Sequence, residues 1–122
     1  MQICESSEDY LEAILILRQK KGFVHSIDIA NELNFSKPSV SIAMKKLREN
    51  GYVEMDENRH LTLTESGEEI AQRIYERHLI LTDLLIHLGV SEENAKSDAC
   101  RIEHDLSEET WEKLKAHYTS HL

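Results

Sequence analysis

This 122-residue chain has few cysteines, prolines, glycines and aromatic residues. Its two cysteines, Cys4 and Cys100, are too few for a disulfide framework, so any thiol chemistry should belong to the reduced form. No apolar run approaches the roughly 20 residues that span a bilayer, and the first residues lack the basic and apolar segments of a signal peptide. We therefore expect a soluble, cytoplasmic protein with no membrane partner.

Basic charge is also scarce. The chain has 14 Lys and Arg against 23 Asp and Glu, a net charge of −9, which argues against nucleic-acid binding because phosphates need clustered cations. The charge is segregated, however: segment 36–50 carries four basic residues against one carboxylate, whereas segment 89–122 carries eight carboxylates against four basic residues. A locally basic face therefore survives in an acidic protein.

The apolar periodicity predicts a mainly α-helical fold. Predicted helices cover 6–21, with Ser6 as N-cap, then 26–33, 37–50, 64–88, 91–106 and 107–120, and a small hairpin covers 51–64. Between Leu79 and Leu88 the apolar residues cover too much of the helix circumference for one core face, which favours burial in a homodimer.

The order of helix, short helix, polar turn, basic helix and hairpin predicts a winged helix-turn-helix domain over residues 1–64, followed by an all-helical domain over 65–122. A recognition helix that meets base edges needs small, polar and methyl-bearing residues at its N-terminal end, and cations that reach phosphates behind them. A helix-turn-helix is also a common packing motif, and surface lysines are often only solvated. The predicted DNA-binding residues are Ser26, Ser36, Lys37, Pro38, Ser39, Ser41, Lys45, Lys46, Arg48 and Arg59.

A second group of residues has the chemistry of metal ligands. The stretch SDACRIEHDL, residues 97–106, presents a thiol, a carboxylate and an imidazole at spacings i, i+3 and i+4, which lie on one face of a helix. Two carboxylates of the first predicted helix, Asp9 and Glu12, repeat the i, i+3 spacing. Each of these residues could also be present for a reason other than metal binding, as a carboxylate in the first turn of a helix, a solvated side chain or a buried thiol. Spacing alone does not decide between these explanations and a metal site. The candidate ligands of one or two divalent cations are Asp9, Glu12, His78, Cys100, Glu103 and His104.

Six short motifs run in order through nearly the whole chain: SEDYLE at 7–12, SKPSVS at 36–41, LRENGYV at 47–53, LTESG at 63–67, ERH at 76–78 and CRIEHDLS at 100–107. As a set, they resemble the diphtheria-toxin-repressor family of metal-dependent transcriptional regulators, and especially its manganese-transport-regulator branch. The resemblance implies an N-terminal winged helix-turn-helix domain and a helical domain that dimerises and binds metal at the junction. It also implies that the six candidate ligands hold Mn²⁺ or Fe²⁺, with Zn²⁺ or Co²⁺ as further ions in vitro, and that Glu103 contacts both ions of a binuclear site. The chain length implies the shorter architecture, without an SH3-like C-terminal domain.

One position departs from the pattern that this resemblance implies. Manganese-type members tend to carry Glu where this chain has Cys100, and iron-type members carry Cys there without the Asp9 and Glu12 pair.

The function that the resemblance implies is repression of metal-uptake genes by a homodimer on double-stranded operator DNA, activated by the metal. Two alternatives stay open: a metal-independent winged-helix regulator that senses a small molecule or oxidant through Cys100, and a hydrolytic metalloenzyme. We expect that the protein is not an enzyme and has no small-molecule substrate, because the sequence contains no HExxH motif and no nucleophile elbow.

Overall fold

The computed structural model describes residues 7–121, which form six helices and one two-stranded antiparallel sheet, as predicted. Ser6 and Cys4 lie outside the described residues. The chain divides into two compact units between Arg73 and Ile74, inside the long helix, and the domain division at residue 64 stays a prediction. The elements are α1 (Ser7–Lys21), α2 (Ser26–Leu33), α3 (Lys37–Glu49), β1 (Val53–Met55), β2 (Leu61–Leu63), α4 (Glu65–His87), α5 (Glu92–Ile102) and α6 (Glu108–His121).

The first unit is built on α1, which packs against α2, α3 and β2. Its core consists of side chains at helical spacing, among them Leu15, Ile29 and Val40, which are fully buried. The turn between α2 and α3 is closed by Asn34, whose left-handed backbone (φ 59°) is well tolerated by asparagine. Ser36 then caps α3 by accepting a hydrogen bond from the Ser39 N–H at 3.2 Å. These local features orient α3, which is the predicted recognition helix.

The hairpin of β1 and β2 forms the wing, with Val53 opposite Leu63 and Met55 opposite Leu61. Asp56 organises the turn: its Oδ1 accepts hydrogen bonds from the Asn58 N–H at 2.8 Å and the His60 N–H at 2.9 Å. Backbone donation from His60 is the main reason that the pKa of the Asp56 carboxyl lies below its ordinary value.

The start of α4 lies against the backbone that enters the wing. Thr64 donates a hydrogen bond to the Gly51 carbonyl at 2.7 Å and accepts one from the Gly67 N–H at 3.2 Å. A Cβ at Gly67 would lie 2.0 Å from the Tyr52 carbonyl oxygen, so only glycine fits. The LTESG motif therefore fixes this junction within the first unit.

The second unit contains the C-terminal part of α4 with α5 and α6. Its core joins Leu81, Ala99 and Trp111, one residue from each helix. Tyr118 of α6 donates a hydrogen bond to Asp83 of α4 at 2.8 Å, and this bond is the first cause of the raised pKa of Tyr118. Among the described residues, none of the helices has the length and apolar character needed to cross a membrane.

Candidate functional site

The carboxylate of Glu103 is the centre of a cluster of donor atoms in the second unit. Glu103 is fully buried, with 0% of its surface exposed. His78 Nδ1 lies 3.0 Å from Glu103 Oε2, and His104 Nε2 lies 3.5 Å from Glu103 Oε1. The Cys100 sulfur lies within 4.8 Å of a Glu103 carboxylate oxygen. Four of the six candidate ligands are therefore brought together around one buried carboxyl group.

The backbone that presents Glu103 differs from the prediction. The helix predicted to reach residue 106 ends at Ile102, and Glu103 is its C-cap, although it keeps helical dihedral angles. His104 follows in a turn, so Cys100, Glu103 and His104 do not share one uninterrupted helix. The triad still converges because the turn begins with a residue in helical conformation.

Arg77 binds the backbone at the point where the helix ends. In a continued helix, the Glu103 carbonyl would accept from the N–H four residues later, but here it accepts from Arg77 Nη1 at 3.1 Å. Arg77 is 5% exposed, pairs with Glu108 at 2.6 Å, and stacks over the Trp111 ring at 5.4 Å from its centroid. Arg77 thus anchors the segment between α5 and α6, a role that sequence reasoning missed even though the residue lies within the ERH motif.

The other two candidate ligands lie on α1 in the first unit. Asp9 and Glu12 are one turn apart and are only 3% and 8% exposed, which is unusual for carboxylates. Glu12 is therefore not a solvated residue, whereas Asp9 does lie in the first turn of α1, as its ordinary explanation requires. Nearby, Arg73 pairs with Glu8 at 3.2 Å and ties the start of α1 to α4 within this unit.

The donor atoms around Glu103 fit a divalent transition metal. Two imidazole nitrogens, a carboxylate and a thiol are the ligands that such ions prefer, whereas Ca²⁺ and Mg²⁺ prefer oxygen alone. A fully buried carboxylate also needs a compensating positive charge, which either a proton or a metal ion can provide. The cluster therefore has the composition and burial of a metal site.

The predicted DNA-binding residues lie on the surface of the first unit. All are exposed except Ser26, which is half-buried. Ser26 lines a concave pocket of about 520 Å³ together with Ser41, Arg48 and Arg59, so α2, α3 and the wing contribute to one surface. Arg59 adopts a left-handed backbone (φ 63°) in the turn that Asp56 organises.

Two parts of this surface were missed by sequence reasoning. His60 of the wing stacks on the Phe23 ring at 4.5 Å and meets the edge of His25 at 4.7 Å. These contacts join the wing to the chain before α2, and no periodicity signals them. Ile42 is a large apolar residue on α3 that remains exposed.

A winged helix-turn-helix joined to a helical unit with converging side chains that could hold a metal is the architecture of a metal-responsive DNA-binding regulator. The iron-dependent repressor N-terminal DNA-binding domain matches residues 2–61, and the metal-binding and dimerisation domain of iron-dependent repressors matches residues 64–120. The chain belongs to this family of metal-dependent transcriptional regulators.

Known relatives agree with this assignment. The transcriptional regulator MntR of Escherichia coli O6:H1 is 38% identical over 117 residues, which are 96% of this chain and 76% of the relative. MntR of Geobacillus kaustophilus is 42% identical over 102 residues, covering 84% and 72%. The solved structure of the manganese regulator SloR superposes with a TM-score of 0.83 at 29% identity, covering 98% of this chain and 55% of that one. The chain thus spans about half the length of that solved structure.

Proposed function

We propose that this protein is a homodimeric repressor of metal-uptake genes, which binds its operator when Mn²⁺ or Fe²⁺ is bound. The observation that carries this proposal is the Glu103 carboxylate, fully buried with the imidazoles of His78 and His104 facing its two oxygens. Such a cluster in a protein with a DNA-binding unit supports regulation by a cation. The names of the relatives, MntR and the manganese regulator SloR, support manganese as the signal.

The proposed ligands are those predicted from the sequence. His78, Cys100, Glu103 and His104 would hold the ion from the helical unit, and Asp9 and Glu12 of α1 would complete its coordination. The bound ion would supply the positive charge that turns mutual repulsion of the carboxylates into attraction to a common centre. This charge is what couples occupancy of the site to the position of α1.

Cys100 sets the proposed choice of metal. A thiolate is a softer ligand than a carboxylate and favours Fe²⁺, Co²⁺ or Zn²⁺, whereas Asp9, Glu12 and Glu103 supply the oxygens that suit Mn²⁺. The chain therefore combines the two preferences, and we propose that both Mn²⁺ and Fe²⁺ activate it.

The proposed output is the geometry of a dimer on DNA. Exposed apolar side chains on α4 and directly after it, including Leu79, Ile86 and Leu88, would provide a surface for a second copy. Without the ion, repulsion between the carboxylates would leave α1, and with it the whole winged domain, loosely held, so that the recognition helices would have no fixed spacing. With α1 fixed, two copies of α3 reach successive half-sites about one DNA turn apart.

Operator binding tests this function. A DNA site selected from random duplexes in Mn²⁺ is titrated with the protein, and fluorescence anisotropy measures the affinity with Mn²⁺ and with a chelator. We expect the chelator to weaken wild-type binding at least tenfold, and Glu103→Gln to abolish this difference because the buried charge is lost.

Glu109→Gln is the matched control, because Glu109 is an exposed carboxylate of α6. It should respond to metal as the wild type does. Operator affinity that does not change with a chelator would refute metal regulation, and affinity that instead responds to an oxidant would favour sensing through Cys100.

A further inference from the structure

Ile42 is an apolar side chain on the outward face of the recognition helix. Val40, Met44 and Leu47 of α3 are buried and form the face that packs on the first unit. Ile42 is two residues from both Val40 and Met44, which is about 200° around the helix from each. Accordingly, 59% of its surface is exposed.

An isolated exposed isoleucine is common on protein surfaces, so the position of Ile42 must carry the argument. Its neighbours on the exposed part of α3, such as Ser39, Lys45 and Lys46, are polar or charged. Because isoleucine is β-branched, it also has a lower helix propensity than lysine. Neither packing within the first unit nor helix propensity therefore favours isoleucine at this position. A contact that forms when the protein binds DNA would favour it.

The chemistry of the major groove restricts what that contact can be. The isoleucine side chain has no hydrogen-bond donor or acceptor. Polar base edges placed against it would lose their hydrogen bonds to water and gain none in return. The apolar group that standard bases present in the major groove is the C5 methyl of thymine. We propose that Ile42 packs against a thymine methyl group in each operator half-site and is a specificity-determining residue. This inference rests on the proposed function, because it requires α3 to enter the groove.

Deoxyuridine tests the contact directly, since it differs from thymidine only by this methyl group. In the selected operator duplex, each thymine is replaced in turn by uracil, and affinity is measured by anisotropy in Mn²⁺. For the wild type we expect one position in each half-site where uracil weakens binding about fourfold, the change expected for one buried methyl group.

Ile42→Ser should lose sensitivity to uracil at that position alone, and Ile42→Val should keep it because its side chain still presents methyl groups. Lys46→Ala is the contrasting variant: it should weaken binding to all duplexes equally and retain the uracil effect, as expected of a phosphate contact. Identical uracil profiles for the wild type and Ile42→Ser, or a wild-type profile without any sensitive thymine, would overturn the proposal. The uracil scan compares duplexes at a single Mn²⁺ concentration, so its outcome does not depend on metal regulation. A failure of metal regulation would appear only in the comparison of Mn²⁺ with a chelator.

Discussion

At the scale of single residues, Glu103 combines two roles. Its carboxylate faces the imidazoles of His78 and His104, while its carbonyl accepts a hydrogen bond from Arg77. Spacing along the sequence made Cys100, Glu103 and His104 candidate ligands, but it gave no such reason for His78. It did not predict that Glu103 is fully buried, because burial depends on how α4, α5 and α6 pack.

Cys100 is the residue on which the choice of metal depends. We predict that Cys100→Glu shifts activation of operator binding from Fe²⁺ toward Mn²⁺, because a carboxylate is a harder ligand than a thiolate. Anaerobic titrations of Mn²⁺, Fe²⁺, Co²⁺ and Zn²⁺, read out by operator binding, measure the order of preference. An unchanged order would mean that Cys100 is not a ligand.

At the scale of secondary-structure elements, local signals predicted the helices well. Ser36 and Ser91 accept hydrogen bonds from the N–H groups three residues later, as N-caps do, and α3 and α5 begin directly after them. The predicted end of α5 was wrong by about four residues, and at the observed end the Glu103 carbonyl accepts a hydrogen bond from Arg77, which is distant in sequence. Sequence patterns within a helix do not record such contacts.

The ion pair of Arg18 with Glu68 connects α1 to α4 within the first unit, with Nη–Oε distances of 2.7 and 3.0 Å. The hydrogen bond from Arg18 is the main reason that the pKa of Glu68 lies below its ordinary value. A lowered carboxyl pKa adds stability above the unfolded-state value of about 4.3, and that stability is lost as the pH falls through the folded-state value.

We therefore predict that Glu68→Gln lowers the free energy of unfolding by about 0.5 kcal/mol at pH 7, a small effect because the pair is partly exposed to solvent. Urea denaturation of both proteins from pH 7 to pH 3 should show the difference disappearing at the acid end. Glu69→Gln, at an exposed carboxylate of the same helix, serves as control. A difference that persists at pH 3 would contradict the assigned cause.

At the scale of the whole molecule, the acidic net charge of −9 and the proposed DNA-binding surface are compatible because the charge is segregated along the sequence. The recognition helix and wing present Lys45, Lys46, Arg48 and Arg59 on the first unit, whereas the buried acidic donors are the proposed sensor. In the proposed mechanism, a bound cation also offsets part of the negative charge and reduces repulsion from phosphates.

The central claim is that metal binding and operator binding are energetically coupled. Coupling between two sites is reciprocal, so if Mn²⁺ strengthens operator binding by some factor, the operator must strengthen Mn²⁺ binding by the same factor. The most direct test measures the Mn²⁺ dissociation constant of the full chain with and without saturating operator DNA. We predict at least tenfold tighter Mn²⁺ binding in the presence of the operator, and equal Mn²⁺ affinity in both conditions would contradict the claim.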